Sequence, residues 1–229
     1  MVKKTPPKKS SRTPSGREPT KKIHYGKNRK ASSATWLSRH INDPYVQQAQ
    51  RDGYRSRAAY KLLEIDEKAN LIKPHSIVVD LGSAPGGWCQ VLVQKQCRKI
   101  VAIDLLEMDS MQGVDFMQLD FMQEDAPDIL LNATGGKVDL VLSDMAHNTT
   151  GHSRTDHIKI VAMVEAAYEF ARGILKPDGA FLAKVFQGGT EGELLKKMKQ
   201  DFVSVKHVKP KASRAESAEA YVLAMGFRG

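Results

Sequence analysis

Residues able to do chemistry stand at the ends of short apolar runs in this chain. Lys184 lies within Phe181-Leu182-Ala183-Lys184-Val185-Phe186, where removing an ammonium from water is costly unless a partner is supplied. Asp144 closes a second run, Lys137-Val138-Asp139-Leu140-Val141-Leu142-Ser143-Asp144, and offers that partner. Lys61 and Glu219 are further charged candidates near the same edge. A lysine held against a carboxylate can orient a hydroxyl or move its proton. Burial and an adjacent anion act in opposite directions on any lysine, so both roles stay open at this level.

A third cluster is built for a ligand. In Asp80-Leu81-Gly82-Ser83-Ala84-Pro85-Gly86-Gly87-Trp88 the glycines let a backbone come close to a bound molecule where a side chain would block it. The dinucleotide pattern GxGxxG is not met, because Ala84 stands where its second glycine belongs. Asp104 follows Gly82 by twenty-two residues, the place where a doubly wound fold sets an acid against a ribose diol. Asp120, after Phe116-Met117-Gln118-Leu119, is placed to accept from an adenine amino group. Either acid alone could be a helix cap or a turn residue; the ordered series favours a ligand. Acceptors for a ribose and a base without a phosphate cradle suit a nucleoside, and S-adenosylmethionine has that chemistry.

Four β-branched runs position these residues: Ile77 to Gly82, Lys99 to Asp104, Lys137 to Asp144 and Gly179 to Phe186. Each carries polar residues at its carboxyl end. Helical spacing appears between them, clearest from Asp156 to Leu175, where Val161, Val164, Tyr168, Ala171 and Leu175 fall on one stripe. A further amphipathic helix, Arg55 to Ala69, precedes the first strand and carries Lys61. Alternating strands and helices predict an α/β fold, a doubly wound Rossmann-like and mostly parallel sheet, with ligands beyond the strands' carboxyl ends. Asp80, Asp104, Asp144 and Lys184 share that edge by topology alone. The runs Phe202 to Val208 and Ala220 to Met225 break the alternation and predict an antiparallel closing pair.

The chain resembles the FtsJ family of ribosomal RNA 2′-O-methyltransferases over roughly residues 32–229. The segments that carry the resemblance are Ser56-Arg57-Ala58 with Lys61-Leu62, Asp80 to Trp88, Asp104-Leu105-Leu106, Gly113 to Phe116, Ser143 to Asn148, Lys184 to Gly188, and Ser213-Arg214 through Glu219 and Tyr221. It implies a Lys-Asp-Lys-Glu catalytic tetrad at Lys61, Asp144, Lys184 and Glu219, with Lys184 the principal residue. It also implies S-adenosylmethionine contacts at Gly86, Trp88, Asp104, Asp120 and Asp144. The implied reaction is methyl transfer to the 2′-hydroxyl of a uridine in 23S ribosomal RNA of the large subunit, by a cytoplasmic monomer that needs no metal. His147 departs from the family's usual Pro, and Glu216 with Ala218 replaces a more basic stretch.

The charge of the chain agrees with an RNA partner, but unevenly. Of its formal +9, residues 1–30 contribute +10 and the remaining 199 residues −1. The opening stretch, rich in Pro, Ser, Thr and Lys, has too few large apolar groups to offset the entropy of ordering; residues 1–31 are expected to be a disordered basic arm and residues 32–229 the folded domain. Within that domain, residues 31–62 and 176–214 are basic and residues 80–144 are acidic, which sets RNA on the Lys61 and Lys184 side. Trp36 and Tyr54 could stack on bases or pack in the core.

No apolar segment is long enough for a membrane span, and no signal-peptide core follows the basic start. Cys89 and Cys97 form no CxxC pair and are expected to be reduced thiols. His147, His152 and His157 recur every five residues, which does not align side chains on a helix, so a zinc site is not expected. Two other readings compete with the enzyme: a ribosome-assembly binding factor whose methylation is incidental, and a methyltransferase of another RNA such as transfer RNA.

Overall fold

A computed structural model describes residues 41–146, 153–186, 192–215 and 217–229, with only the backbone described for 153–157. The expected basic arm, Trp36, His147, His152, Gln187, Gly188, Glu216 and the side chain of His157 lie outside the described residues. Tyr45–Gly229 form one compact unit.

In chain order the elements are α1 (Pro44–Asp52), α2 (Ala58–Ala69), β1 (Ile77–Leu81), α3 (Gly87–Gln94), β2 (Lys99–Asp104), β3 (Asp115–Gln118), α4 (Ala126–Thr134), β4 (Val138–Ser143), α5 (Ser153–Ile174), β5 (Leu175–Phe186), α6 (Gly192–Asp201), β6 (Phe202–Val208) and β7 (Glu219–Phe227). The strands make one seven-stranded sheet in the order β3-β2-β1-β4-β5-β7-β6. The first five are parallel, and β7 runs antiparallel to both of its neighbours. The expected α/β architecture is therefore present, with one refinement: β7 inserts beside β5, and β6 takes the outer edge.

The strand sequences read as near-continuous apolar runs because both faces of the sheet are covered. Period-two alternation sends Val79, Leu81, Val101, Ile103, Val141, Phe181 and Ala183 into the core beneath α4, α5 and α6. It sends Val78, Ile100, Leu140, Leu142 and Leu182 into a second core with α2 and α3. The stripe read on α5 faces the sheet, with Val161, Val164, Tyr168 and Ala171 all buried. Helix α2 begins three residues later than the spacing predicted and ends at Ala69, where the left-handed Asn70 (φ 50°) caps it by donating its N–H to the Asp66 carbonyl.

Strand β5 is longer than its apolar run. Leu175 pairs with Val138, the register then slips, and pairing resumes at Ala180 opposite Leu140. The intervening Lys176-Pro177-Asp178-Gly179 carries a turn signal, and Asp178 sits at φ 66°.

Candidate active site

Chain order reverses between β1 and β4, and the crevice beyond their carboxyl ends is where an open parallel sheet takes a ligand. A cavity of about 500 Å³ opens there, with Gly82, Ala84, Asp104, Asp120, Asp144 and Lys184 among its lining. That volume is within the usual range for small-molecule sites.

The β1–α3 loop forms its floor. Gly82 and Ser83 both donate backbone N–H groups to the Ile103 carbonyl, at 2.9 and 3.0 Å, which holds the loop across the end of β2. Gly82 has φ +79°, and a Cβ there would meet the Met145 nitrogen at 2.7 Å; no other residue fits. Asp104 accepts from the Ala84 N–H through one oxygen and from Leu106 N–H through the other, each at 2.9 Å. It therefore braces the two loops that flank the cavity. Asp120 accepts from Met122 N–H at 2.9 Å.

Of the expected ligand contacts, Asp104, Asp120 and Asp144 line the cavity, whereas Gly86 and Trp88 do not. Gly86 is the left-handed residue (φ 105°) that opens α3. The Trp88 ring is buried, donates its indole N–H to the Ala58 carbonyl at 2.8 Å, and packs 5.8 Å from the Tyr221 ring. Tyr54 donates to Gln94 at 2.8 Å and packs edge-on against Tyr60, so its ring is occupied by packing.

Lys61, Asp144, Lys184 and Glu219, distant in sequence, converge as two ion pairs. Lys184 Nζ lies 2.9 Å from Asp144 Oδ1 and donates to the Asp144 carbonyl at 2.7 Å. Lys61 Nζ reaches both oxygens of Glu219 at 2.8 Å. All four side chains are between 10 and 17% exposed. The β5–β7 register explains the assembly, since Lys184 stands opposite Tyr221 and Phe186 opposite Glu219. Tyr221 joins the pairs: its hydroxyl donates to Asp144 Oδ1 at 2.8 Å, and Lys61 Nζ lies 5.9 Å above its ring.

Burial alone would raise the Asp144 carboxyl. Lys184 and Lys61, with hydrogen bonds from Lys184 and Tyr221, outweigh it and hold this carboxyl below its ordinary value. Burial pushes the Tyr221 phenol well above its ordinary value, and the charges of Asp144 and Glu219 add to the rise. It stays a hydrogen-bond donor. Asp80 differs from both: it lies behind the loop, fully buried, and burial with the charges of Asp144 and Asp104 pushes it up to about 7 against a hydrogen bond from Cys89.

Three residues here were given no site role by the sequence, although Tyr221 and Ser213 lie in a segment that carries the resemblance. Tyr221 could have been found two positions beyond Glu219, on the same strand face. Ser213 donates to Glu219 at 2.7 Å, and its loop is held by Glu64, which accepts from the N–H groups of Lys211 and Ala212. Arg55 donates to the carbonyls of Pro85, Asp109 and Ser110, tying the α1–α2 linker to both loops around the cavity. Nothing local marks Ser213 or Arg55 for these tasks. Among the described residues no cluster of His, Cys, Asp or Glu is placed to hold a metal ion.

The cavity's donor set can be tested against ligand chemistry. Three carboxylates and one lysine line it, a net negative wall that repels phosphates and favours a cation bearing hydroxyl and amino donors. S-adenosylmethionine, a sulfonium nucleoside without phosphate, fits that requirement.

Comparison with known proteins agrees with the geometry. The chain is 55% identical over 225 residues to the ribosomal RNA large subunit methyltransferase E of Azorhizobium caulinodans, covering 96% of this chain and 94% of that one. It is 60% identical over 205 residues to the protein of the same name from Rhodopseudomonas palustris (87% and 86% covered). A Plasmodium falciparum protein whose crystal structure was solved as a ribosomal RNA methyltransferase superposes with a TM-score of 0.68 at 31% identity, over 77% of this chain and all of that one. Residues 54–227 match the FtsJ-like methyltransferase family, and the chain belongs to it.

Proposed function

We propose that this protein transfers a methyl group from S-adenosylmethionine to the 2′-hydroxyl of a uridine in 23S ribosomal RNA of the large ribosomal subunit, acting as a cytoplasmic monomer. The observation that carries the reading is the paired constellation of Lys184 with Asp144 and Lys61 with Glu219, beside a cavity suited to a cationic nucleoside. The curated relatives named for large-subunit ribosomal RNA methylation support the substrate class. Among the described residues no helix is long and apolar enough to cross a membrane, which accords with a cytoplasmic site of action.

S-adenosylmethionine supplies a methyl carbon activated by its positive sulfur, so no metal is needed to activate the donor. Asp104 would hold the ribose diol and Asp120 the adenine amino group, while Asp144 sets negative charge near the sulfonium. A ribose hydroxyl is a poor nucleophile at neutral pH, so it must be aligned and relieved of its proton. Lys184 directs two N–H groups at Asp144, and its remaining direction would face the 2′-oxygen. As the new C–O bond forms and the C–S bond breaks, that oxygen becomes strongly acidic. Lys184, after giving one proton to Asp144 Oδ1 2.9 Å away and turning its freed lone pair about the Cε–Nζ bond, would take the proton from that oxygen, and solvent would restore the carboxylate. Lys61, held by Glu219, fixes the ribose and adds positive potential at Asp144.

The test compares methyl incorporation into isolated large subunits, naked ribosomal RNA and transfer RNA, with mass-spectrometric mapping of the modified ribose. The expected product is a 2′-O-methyluridine in 23S RNA that the Lys184→Ala protein does not form. Methylation confined to transfer RNA would overturn the substrate. Full rescue of subunit assembly by the Lys184→Ala protein, without methylation, would move the biological role to binding.

A further inference from the structure

At the opposite, amino-terminal edge of the sheet lies a second cavity of about 700 Å³, larger than the first and unused by the mechanism above. It is walled by the α2–β1 connection, the starts of β4 and β5, and the β6–β7 pair. From Asp178 to Lys184 along β5 is six residues, about 20 Å at strand rise, so a group bound here cannot reach the methyl-transfer site.

Its charge is the reverse of the first cavity's. Lys73, His75, Arg98 and Lys176 line it, against Asp139 and Asp178. Asp139 is fully engaged: one oxygen takes Lys176 Nζ at 2.7 Å and the other accepts the Ile77 N–H at 2.7 Å. That leaves the side chains of Lys73, His75 and Arg98 without a carboxylate among the described residues, and a single unengaged acid, Asp178, against them. All three side chains are exposed to solvent, and together they rim this concavity.

The backbone around the cavity is also constrained. His75 is held in the left-handed region at φ 64°, its N–H donating 2.9 Å to the carbonyl of Gln96, which is itself at φ 59°. Asp178 on the far wall is at φ 66°. Non-glycine residues at positive φ are uncommon and cluster where a surface holds a ligand. Two of the four among the described residues, His75 and Asp178, line this cavity.

We propose that this cavity is a phosphate-binding site, in which Lys73, His75 and Arg98 grip phosphate groups of a second RNA segment. It would give the protein a grip on folded RNA separate from the nucleotide being methylated. Free polyphosphate has the same chemistry, and the experiment separates the two sources.

Binding of the full-length protein to a large-subunit ribosomal RNA fragment is measured by fluorescence anisotropy from 50 to 300 mM salt, without S-adenosylmethionine. The Lys73→Ala/Arg98→Ala variant is expected to lower the slope of log K against log salt by about 1.5, as two lost phosphate contacts require. A control, Lys68→Ala/Lys137→Ala, outside the cavity and outside both basic segments, is expected to leave it unchanged. In parallel, inorganic tripolyphosphate is titrated calorimetrically into wild type and the cavity variant. A slope change confined to the cavity variant assigns RNA phosphates. Loss of stoichiometric tripolyphosphate binding with no slope change assigns a free polyphosphate instead. An unchanged slope together with no tripolyphosphate binding, or an equal fall in the control, overturns the proposal. No turnover is measured, so either result leaves the methyl-transfer reading where it stands.

Discussion

Asp80 and Asp144 are the same residue type at the carboxyl ends of adjacent parallel strands, one the penultimate residue of β1 and the other just past β4. They end in opposite states. Asp80 is fully buried, has no cation beside it, and leaves Oδ1 without a hydrogen-bond partner, so it is pushed up to about 7. Asp144 is screened from solvent nearly as well, yet Lys184, Lys61 and Tyr221 hold it below the ordinary carboxylate range. Burial by itself does not decide whether a carboxylate is charged; the partner does. Here the partner of Asp144 arrives across the sheet from β5, whereas Asp80 faces Cys89 on α3.

The strongest way to break this contrast is to remove the cation. Lys184→Ala is expected to fold and to bind S-adenosylmethionine but to lose methyl transfer by about 10³-fold or more, some 4 kcal/mol of barrier. Nucleoside mass spectrometry checks it, and wild-type-level ribose methylation would refute the assignment. Lys184→Arg keeps a cation beside Asp144 but cannot relay a proton, so it should stay below about 1% of wild-type turnover.

The contrast is also written in the pH dependence of stability, with opposite signs. The Asp144 carboxyl is depressed in the folded state, so its contribution is present above the unfolded value of about 3.9 and is lost as pH falls through the folded value. The Asp80 carboxyl is raised, so the fold is favoured below the unfolded value and loses that favour as pH climbs toward about 7. Urea unfolding of the ligand-free protein at pH 4.5 and 7.5 should therefore show Asp80→Asn flattening a decline of roughly 2–3 kcal/mol. An unchanged slope would mean that Asp80 is ionised throughout.

Smaller effects sharpen the same picture. Tyr221→Phe removes one donor from Asp144 while keeping the ring against Trp88; about 1 kcal/mol of stability and a several-fold fall in turnover are expected. Ser213→Ala frees one oxygen of Glu219. It should raise KM for RNA a few-fold with turnover nearly intact, because it touches the positioning pair and not the proton path; an equal loss in kcat would place Ser213 on that path.

Much of this was legible in the residues themselves. The strands Lys99–Asp104 and Phe202–Val208 match their sequence runs residue for residue; the first is apolar because both its faces are covered, whereas the second, on the sheet's outer edge, is marked by its β-branched valines although most of it is open to solvent. Lys184 announced itself by standing in an apolar run. What stayed hidden depends on contacts across the fold. Glu64 and Ser213 hold Glu219 through a loop about 150 residues from α2, and the insertion of β7 beside β5 leaves no trace in local pattern. The start of β5 at Leu175 was masked by Lys176-Pro177-Asp178-Gly179, a turn signal that here marks a register slip within one strand.

The sequence by itself determined the α/β class, the edge on which chemistry is gathered, and the residue types there, since hydrophobic period and strand polarity are local properties carried by the chain. Tertiary structure alone decided which charges meet. Pairing energy depends on separations of a few ångströms between residues as far apart as Lys61 and Glu219, and those are set by the order and register of strands. That is why Asp144 is an anion with two lysines near it, while Asp80, one strand away, is a carboxyl left without a cation.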